Sequence, residues 1–290
     1  MYSPKILHLE VTTACNAACP LCPRETDVNF NKETDVVTLS LSEVKVLCDD
    51  DFIKNLDKMF MCGNYGDPAA ANSALDIFRY FKSVNPTITL GMNTNGSLRT
   101  PDWWRELAGI LNGPLDYVVW SIDGLSDTNH LYRINTVWNK IMDNAQAFID
   151  AGGSAHWDML IYEHNEHQMD SAEQLAREMG FSWFRSKVSK RTSTVEFIRA
   201  PKSFTSAIKI DGPINCSAIN EQSIYMSAEG IVYPCCWQGM KSGPDINQFE
   251  KIQSSWHTND PDKTCKTTCS GIYKNNFTAQ WRKEIELGRK

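Results

Sequence analysis

Six short runs of apolar, β-branched and aromatic residues punctuate the first two thirds of the chain. They are Ile6–Val11, Lys58–Cys62, Thr87–Asn93, Tyr117–Ile122, His156–Tyr162 and Trp183–Val188, and each has the length of a strand. The segments between them carry helical punctuation. Ser40-Leu41-Ser42-Glu43 has the capping-box spacing and opens a helical pattern that runs through Leu47. Thr100-Pro101 reads as an N-cap followed by proline at the first helical position, leading into Trp103–Leu111. Thr136–Ala151 is a long amphipathic stretch closed by Gly152-Gly153, and Gln168–Met179 is closed by Gly180 where a C′ glycine belongs.

Strands alternating with helices predict parallel βα units joined by right-handed crossovers. Six such units are fewer than the eight that close a barrel. The predicted fold class is therefore α/β, an open, partial (β/α)6 barrel of TIM type over residues 1–190, with its chemistry at the C-terminal ends of the strands.

From about Ser189 the alternation stops. Lys190–Asp211 shows no clear period, Asp211-Gly212-Pro213 is a turn signal, and residues 191–215 read as a linker. Ser223–Ala228 and Ile231–Cys235 flank Glu229-Gly230 as a short β-hairpin, and a helix is expected around Thr278–Glu286. Residues 216–290 are expected to form a small cysteine-rich β-hairpin/α module. It has little apolar material of its own and needs a metal to hold it together.

Composition sharpens the reading. The 290 residues carry a formal charge of −6 and no basic block, which makes nucleic acid an unsuitable partner. No stretch approaches the ~20 apolar residues of a membrane helix. The start, Met1-Tyr2-Ser3-Pro4-Lys5, opens no signal-peptide h-region, so a cytoplasmic address is expected. Ten cysteines at such an address point to metal or redox chemistry rather than to a disulfide framework, because thiols there are kept reduced. They fall into an early group, Cys15, Cys19 and Cys22, and a late one, Cys216, Cys235, Cys236, Cys265 and Cys269. Cys48 and Cys62 lie between and read as core thiols.

The early group directly follows the first predicted strand. Three thiolates at this spacing can converge on one face of a four-iron cubane, leaving one iron open, whereas a structural zinc takes four protein ligands. The late group suits either an iron–sulfur cluster or a zinc with four cysteine ligands. His156, His164 and His167 surround the fifth strand; a structural role is the default for each, although His164, Asn165 and His167 are placed to face a pocket mouth.

The spacing Cys15-x3-Cys19-x2-Cys22 after the first strand of a partial barrel resembles the radical S-adenosylmethionine superfamily. Further along, Gly63-Asn64-Tyr65-Gly66-Asp67-Pro68 is similar to that family's glycine-rich turn after the second strand, with Tyr65 at the first glycine of that turn and Asp67 where glutamate is usual. Thr94-Asn95-Gly96 closes the third strand, Ser121-Ile122-Asp123-Gly124 closes the fourth, and Leu21 stands where an aromatic residue near the adenine is common. The resemblance implies a [4Fe–4S] cluster held by Cys15, Cys19 and Cys22. It implies S-adenosylmethionine bound around Gly63, Asn64, Tyr65, Gly66, Asp67, Pro68, Thr94, Asn95, Ser121 and Asp123. It also implies one-electron cleavage of that cosubstrate to methionine and a 5′-deoxyadenosyl radical, which takes a hydrogen atom from an unactivated carbon.

In the tail, Cys216-x13-Gly230-x4-Cys235 followed by Cys265-x3-Cys269 resembles the SPASM and Twitch extensions of such enzymes, in the shorter, Twitch form. By that resemblance Cys216, Cys235, Cys265 and Cys269 hold an auxiliary [4Fe–4S] cluster, with Cys236 left over because adjacent strand residues point to opposite faces. The implied activity is an oxidation or dehydrogenation of a small molecule or a peptide side chain, with an electron donor such as flavodoxin or ferredoxin. A maturase that forms crosslinks or epimers is the alternative. The position of Cys15 near the start argues against an N-terminal leader-binding domain. A non-catalytic sensor that binds the cluster and cosubstrate, or a zinc-stapled binding module, would need no turnover.

Overall fold

All six predicted strands form, each within two residues of its expected bounds. The computed structural model describes residues 3–189, 198–202, 209–239, 248–258, 260–273 and 283–288. The chain runs β1 (Ile6–Leu9), α1 (Pro23–Thr26), α2 (Leu41–Leu47), α3 (Asp50–Lys54), β2 (Lys58–Met61), α4 (Ala74–Val84), β3 (Thr89–Thr94), α5 (Pro101–Ile110), β4 (Tyr117–Ser121), α6 (Asn129–Tyr132), α7 (Trp138–Asp150), β5 (Ala155–Ile161), α8 (Met169–Met179) and β6 (Trp183–Val188). These six strands lie side by side in chain order, all parallel, in a sheet that does not close. Local signals act as read. Ser40 and Glu43 form a complete capping box on α2, and Gly180 ends α8 at φ +93°.

The remainder runs β7 (Lys209–Ile214), α9 (Ser217–Asn220), β8 (Ser223–Met226), β9 (Val232–Tyr233), α10 (Gln248–Trp256), α11 (Lys263–Thr268), β10 (Ser270–Tyr273) and β11 (Lys283–Glu286). The hairpin β8–β9 forms with Gly230 at φ +77°, but it does not stand apart: β8 pairs in parallel with β1. The helix expected around Thr278–Glu286 is corrected over its described part. Lys283–Glu286 is strand β11, antiparallel to β6, and residues 278–282 lie outside the described residues. Ile285 and Leu287 alternate with exposed Glu284 and Glu286, and the free edge of β6 supplies backbone partners that outweigh helix propensity. The stretch around Asp211-Gly212-Pro213, read as a turn, is strand β7; it pairs with β10 across a register shift, where proline is tolerated. Among the described residues the main sheet thus has nine strands, ordered β11-β6-β5-β4-β3-β2-β1-β8-β9, and residues after Cys216 supply both of its edges.

Strand alternation sorts the two faces. Leu7, Leu9, Met59, Met61, Leu90, Met92, Val118, Trp120, Trp157 and Phe184 are buried against the helices with Phe78, Phe81, Trp104 and Phe148. The opposite, concave face carries a register row Tyr225–His8–Phe60–Gly91–Tyr117. His8 stacks on Phe60 at 4.4 Å and Tyr117 on His156 at 5.2 Å, with the Lys58 ammonium over the Phe60 and Tyr117 rings. Gly91 is required there, since a Cβ would meet the Tyr117 ring at 2.5 Å. Burial drops the His8 pKa to about 4, so this aromatic floor holds a neutral imidazole.

Candidate functional site

Above that floor, the loop from β1 to α1 carries Cys15, Cys19 and Cys22. Thr12 and Thr13 pin its start to residues 35–38: the Thr12 hydroxyl donates to the Val37 carbonyl at 3.0 Å and the Thr13 hydroxyl to the Asp35 carbonyl at 2.8 Å. Cys19 is buried, and Cys15 and Cys22 are half-buried. Nitrogen donors face the sulfurs. The Ala17 N–H lies 3.4 Å and the Asn95 amide 3.7 Å from Cys15 Sγ, and Arg133 Nη1 lies 3.7 Å from Cys19 Sγ. Burial pushes the Cys15 thiol up to about 12 and the Cys19 thiol to about 11, the latter despite the attraction of Arg133. Positive charge bound among these sulfurs, which iron would supply, favours their thiolate forms.

Arg133 was not singled out in the sequence. Its guanidinium is held charged: burial opposes this, but the Asp123 carboxylate at 2.7 Å outweighs it. Ala17, Cys19, Leu21, Tyr132, Tyr162 and Ile198 form a second apolar cluster that excludes water from this end of the barrel.

The turn Gly63–Pro68 leaves β2 and folds onto the cysteine loop. A Cβ on Gly66 would stand 1.8 Å from the Thr12 carbonyl oxygen, and the next residue's N–H donates to the Ala14 carbonyl at 2.8 Å. The buried carboxylate of Glu10 accepts from the Tyr65 N–H at 2.7 Å, the Gly66 N–H at 3.2 Å and the Tyr225 hydroxyl. Tyr65 turns outward, stacks on Phe30 at 4.4 Å and donates to Asp27 at 2.6 Å. The Cys22 thiol donates to the Asn64 carbonyl at 3.7 Å, while the Asn64 amide donates to the Cys236 carbonyl at 2.8 Å.

Several residues expected to contact a cosubstrate spend their side chains on one another. The buried Asp67 carboxylate accepts from the Thr94 hydroxyl at 3.0 Å, the Asn95 N–H at 2.7 Å and the Ala69 N–H at 3.0 Å. It locks the turn to the end of β3. Asp123 is fully buried, bound to Arg133 and to the Leu160 N–H at 2.6 Å. Asn165, expected at a pocket mouth, is also buried; it caps the Tyr162 N–H at 2.8 Å and donates to the Asp123 and Leu160 carbonyls. His164 is half-buried against the Tyr162 ring, and His167 is exposed. Ser121 ends β4 half-buried, in register with Asp158. Asp158 takes a two-pronged bond from Arg185, Nε at 2.6 Å and Nη2 at 2.9 Å, on the concave face. Burial lifts its carboxyl to about 6. Glu10, Asp158 and Arg185 were also missed. The signal available for Glu10 was its place two residues after His8, polar positions on the same side of β1 and its continuation.

In the tail, Cys216 caps α9, Cys235 follows β9, Cys265 lies buried on α11 and Cys269 ends it one turn later. Cys216 and Cys235 both pack against the main hydrophobic core. The Asn215 N–H donates to the Cys269 carbonyl at 3.1 Å, and Gln238 braces Asp262 at 2.9 Å. Among the described residues, no three cysteine, histidine or carboxylate groups gather around a point where one metal ion would sit. The thiolates of a four-iron cluster take separate irons and stand further apart than ligands of a single ion.

A profile of the Radical SAM superfamily matches residues 9–176. The chain belongs to that superfamily, whose enzymes use a [4Fe–4S] cluster and S-adenosylmethionine. A tungsten-containing aldehyde ferredoxin oxidoreductase cofactor-modifying protein from Pyrococcus furiosus is 29% identical over 133 residues, which covers 46% of this chain and 35% of that protein. Streptococcus suis SuiB has a similar fold, with a TM-score of 0.62 at 13% identity over 89% of this chain and 66% of its own. The enzyme anSMEcpe with bound AdoMet gives a TM-score of 0.59 at 14% identity, over 82% of this chain and 75% of its own. At these identities the likeness to both structures is one of fold. No helix among the described residues is long and apolar enough to cross a membrane.

Proposed function

We propose that this chain is a radical enzyme of oxidoreductase type that oxidises or otherwise modifies a peptide side chain or a small molecule, with an auxiliary cluster in its tail. When bound, a four-iron cluster and S-adenosylmethionine supply a 5′-deoxyadenosyl radical able to take a hydrogen atom from an unactivated carbon. The observation that carries the reading is the joint geometry of three cysteines, the Arg133 and Asn95 donors on their sulfurs, and a glycine turn pressed against the same loop.

Cys15, Cys19 and Cys22 would hold the first cluster. Gly63–Pro68 would cradle the cosubstrate through its backbone, because most of the local carboxylates and amides are already committed to shaping it. Thr94, Asn95 and Asp123 act as braces in this reading, and Ser121 faces the bound molecule. Arg133 offsets the anionic thiolates, and the Tyr132–Tyr162–Ile198 cluster keeps water from the reactive end. Cys216, Cys235, Cys265 and Cys269 would hold the auxiliary cluster, in residues 216–290. The structures of SuiB with its precursor peptide SuiA and of anSMEcpe with AdoMet and the Cp18Cys peptide favour a peptide as substrate. A flavodoxin or ferredoxin would be the electron donor.

Iron, sulfide and zinc per chain after anaerobic purification test the reading. About eight irons with matching sulfide are expected, with 5′-deoxyadenosine released on reduction. Cys19→Ala should retain the tail iron and release none of that nucleoside. About four irons would withdraw the auxiliary cluster, and zinc without iron would overturn the assignment.

A further inference from the structure

We infer that Glu10 is a positioning residue: its carboxylate holds the backbone of Tyr65 and Gly66 in the conformation that receives the cosubstrate, and ties that turn to the tail strand through Tyr225. The inference rests on the proposed role of Gly63–Pro68.

Glu10 continues the concave-face series of β1 and is 1% exposed. One oxygen serves two successive N–H groups of the turn, and the other accepts the Tyr225 hydroxyl from β8. Three elements far apart in sequence therefore meet on one side chain. Gly63 has no side chain because the carboxylate fills that space; a Cβ would meet Glu10 Oε1 at 2.4 Å. The bonds from Asp67 fix the far end of the turn to β3, so Glu10 is the matching clamp at its near end. A second link runs in parallel, since the Asn64 amide donates to the Cys236 carbonyl. With the clamp gone, two half-buried N–H groups lose their acceptor and the turn samples other conformations. Cosubstrate affinity then falls by the fraction that remains competent.

Two substitutions separate position from charge. Glu10→Gln keeps an acceptor at the same reach and loses the charge. Glu10→Asp keeps the charge and withdraws the acceptor by one methylene. S-adenosylmethionine binding is measured by calorimetry on anaerobic, cluster-containing protein, with iron content as the control. Amide hydrogen exchange over residues 63–68 is followed without the cosubstrate.

Glu10→Gln should bind within about threefold of wild type with unchanged protection, and Glu10→Asp should bind about tenfold more weakly with faster exchange in that segment. The reverse order would assign Glu10 an electrostatic role and overturn the inference. So would a lowered melting temperature with wild-type affinity in Glu10→Asp. Should Glu10→Asp not fold, weak binding by folded Glu10→Gln is still decisive against it. Wild-type protein that carries iron but binds no S-adenosylmethionine would instead sink the functional reading on which this inference stands.

Discussion

Gly66→Ala adds one methyl group at the closest approach between the turn and the cysteine loop. The new carbon would lie 1.8 Å from the Thr12 carbonyl oxygen, 2.6 Å from its carbon and 2.9 Å from Thr13 Cα. All three are backbone atoms, so no side chain can swing aside, and the gap must open by more than about 1 Å before an ordinary carbon–oxygen contact is reached. Thr12 and Thr13 are tied to residues 35–38, so the turn is the part that yields. Overpacking of this kind costs about 1–3 kcal/mol. Stretching the bonds from Gly66 and Asp67 to Glu10 and Ala14 adds ~1 kcal/mol each. A total of about 3–5 kcal/mol should lower the melting temperature by about 5–8 °C in a chain of this size. Gly109→Ala is the matched control. Nothing lies within 4 Å of its Cβ on α5, so alanine there should stabilise by about 0.5–1 kcal/mol. Urea unfolding of the two variants beside wild type, with calorimetry of S-adenosylmethionine binding, reads both effects. Wild-type stability and affinity in Gly66→Ala would refute the view that the turn is wedged against the loop.

Glu10 also makes a prediction about pH. Burial raises its folded pKa from 4.5 to about 7, so the folded state holds this proton more tightly than the unfolded chain does. The resulting loss of stability sets in as pH rises from about 4.5 and is complete above about 7, where it amounts to about 3 kcal/mol. Glu10→Gln lacks that proton, so its stability relative to wild type should rise by about that amount between pH 4.5 and 8, and parallel urea curves would exclude it. Trp104→Ala removes a fully buried indole from the helix side of the sheet and should cost about 3–5 kcal/mol, measured by urea unfolding; less than about 1 kcal/mol would contradict the packing described. Arg133→Met leaves the buried Asp123 carboxylate unpaired and should cost about 3–5 kcal/mol. Adding Asp123→Asn should recover part of that loss, and additive costs would argue against the pair.

What the sequence discloses follows the range of the forces involved. The capping box at Ser40, the glycine ending α8 and the strand alternation are set by neighbours a few residues away, and all were legible. The cysteine spacing was legible because one loop must present three thiols together. The role of Asp67 was not: its partners Thr94 and Asn95 lie at the end of the next strand and just past it, and only the folded sheet brings them within about 3 Å. Arg133 carries no local signal of burial, and its partners Asp123 and Cys19 are brought to it by the fold. Strand β11 was misread for the same reason. Residues Lys283–Glu286 take their structure from the open edge of β6, about a hundred positions earlier.

The place of β1 in the sheet has a consequence for the order of synthesis. Its two neighbours are Lys58–Met61 and Ser223–Met226, so one side of the first strand waits for a partner more than 200 residues downstream. At ~5–20 residues per second the ribosome needs roughly 10–40 s to supply it. Throughout that interval β1 has an open hydrogen-bonding edge, and the cysteine loop beyond it lacks the Tyr225 side of its support. Contacts this distant make folding slow, and a nascent chain that ends after β6 carries two unpaired edges at once. Production of this protein should therefore be limited by edge-to-edge association of unfinished chains, and slower translation before residue 223 should lower the soluble yield.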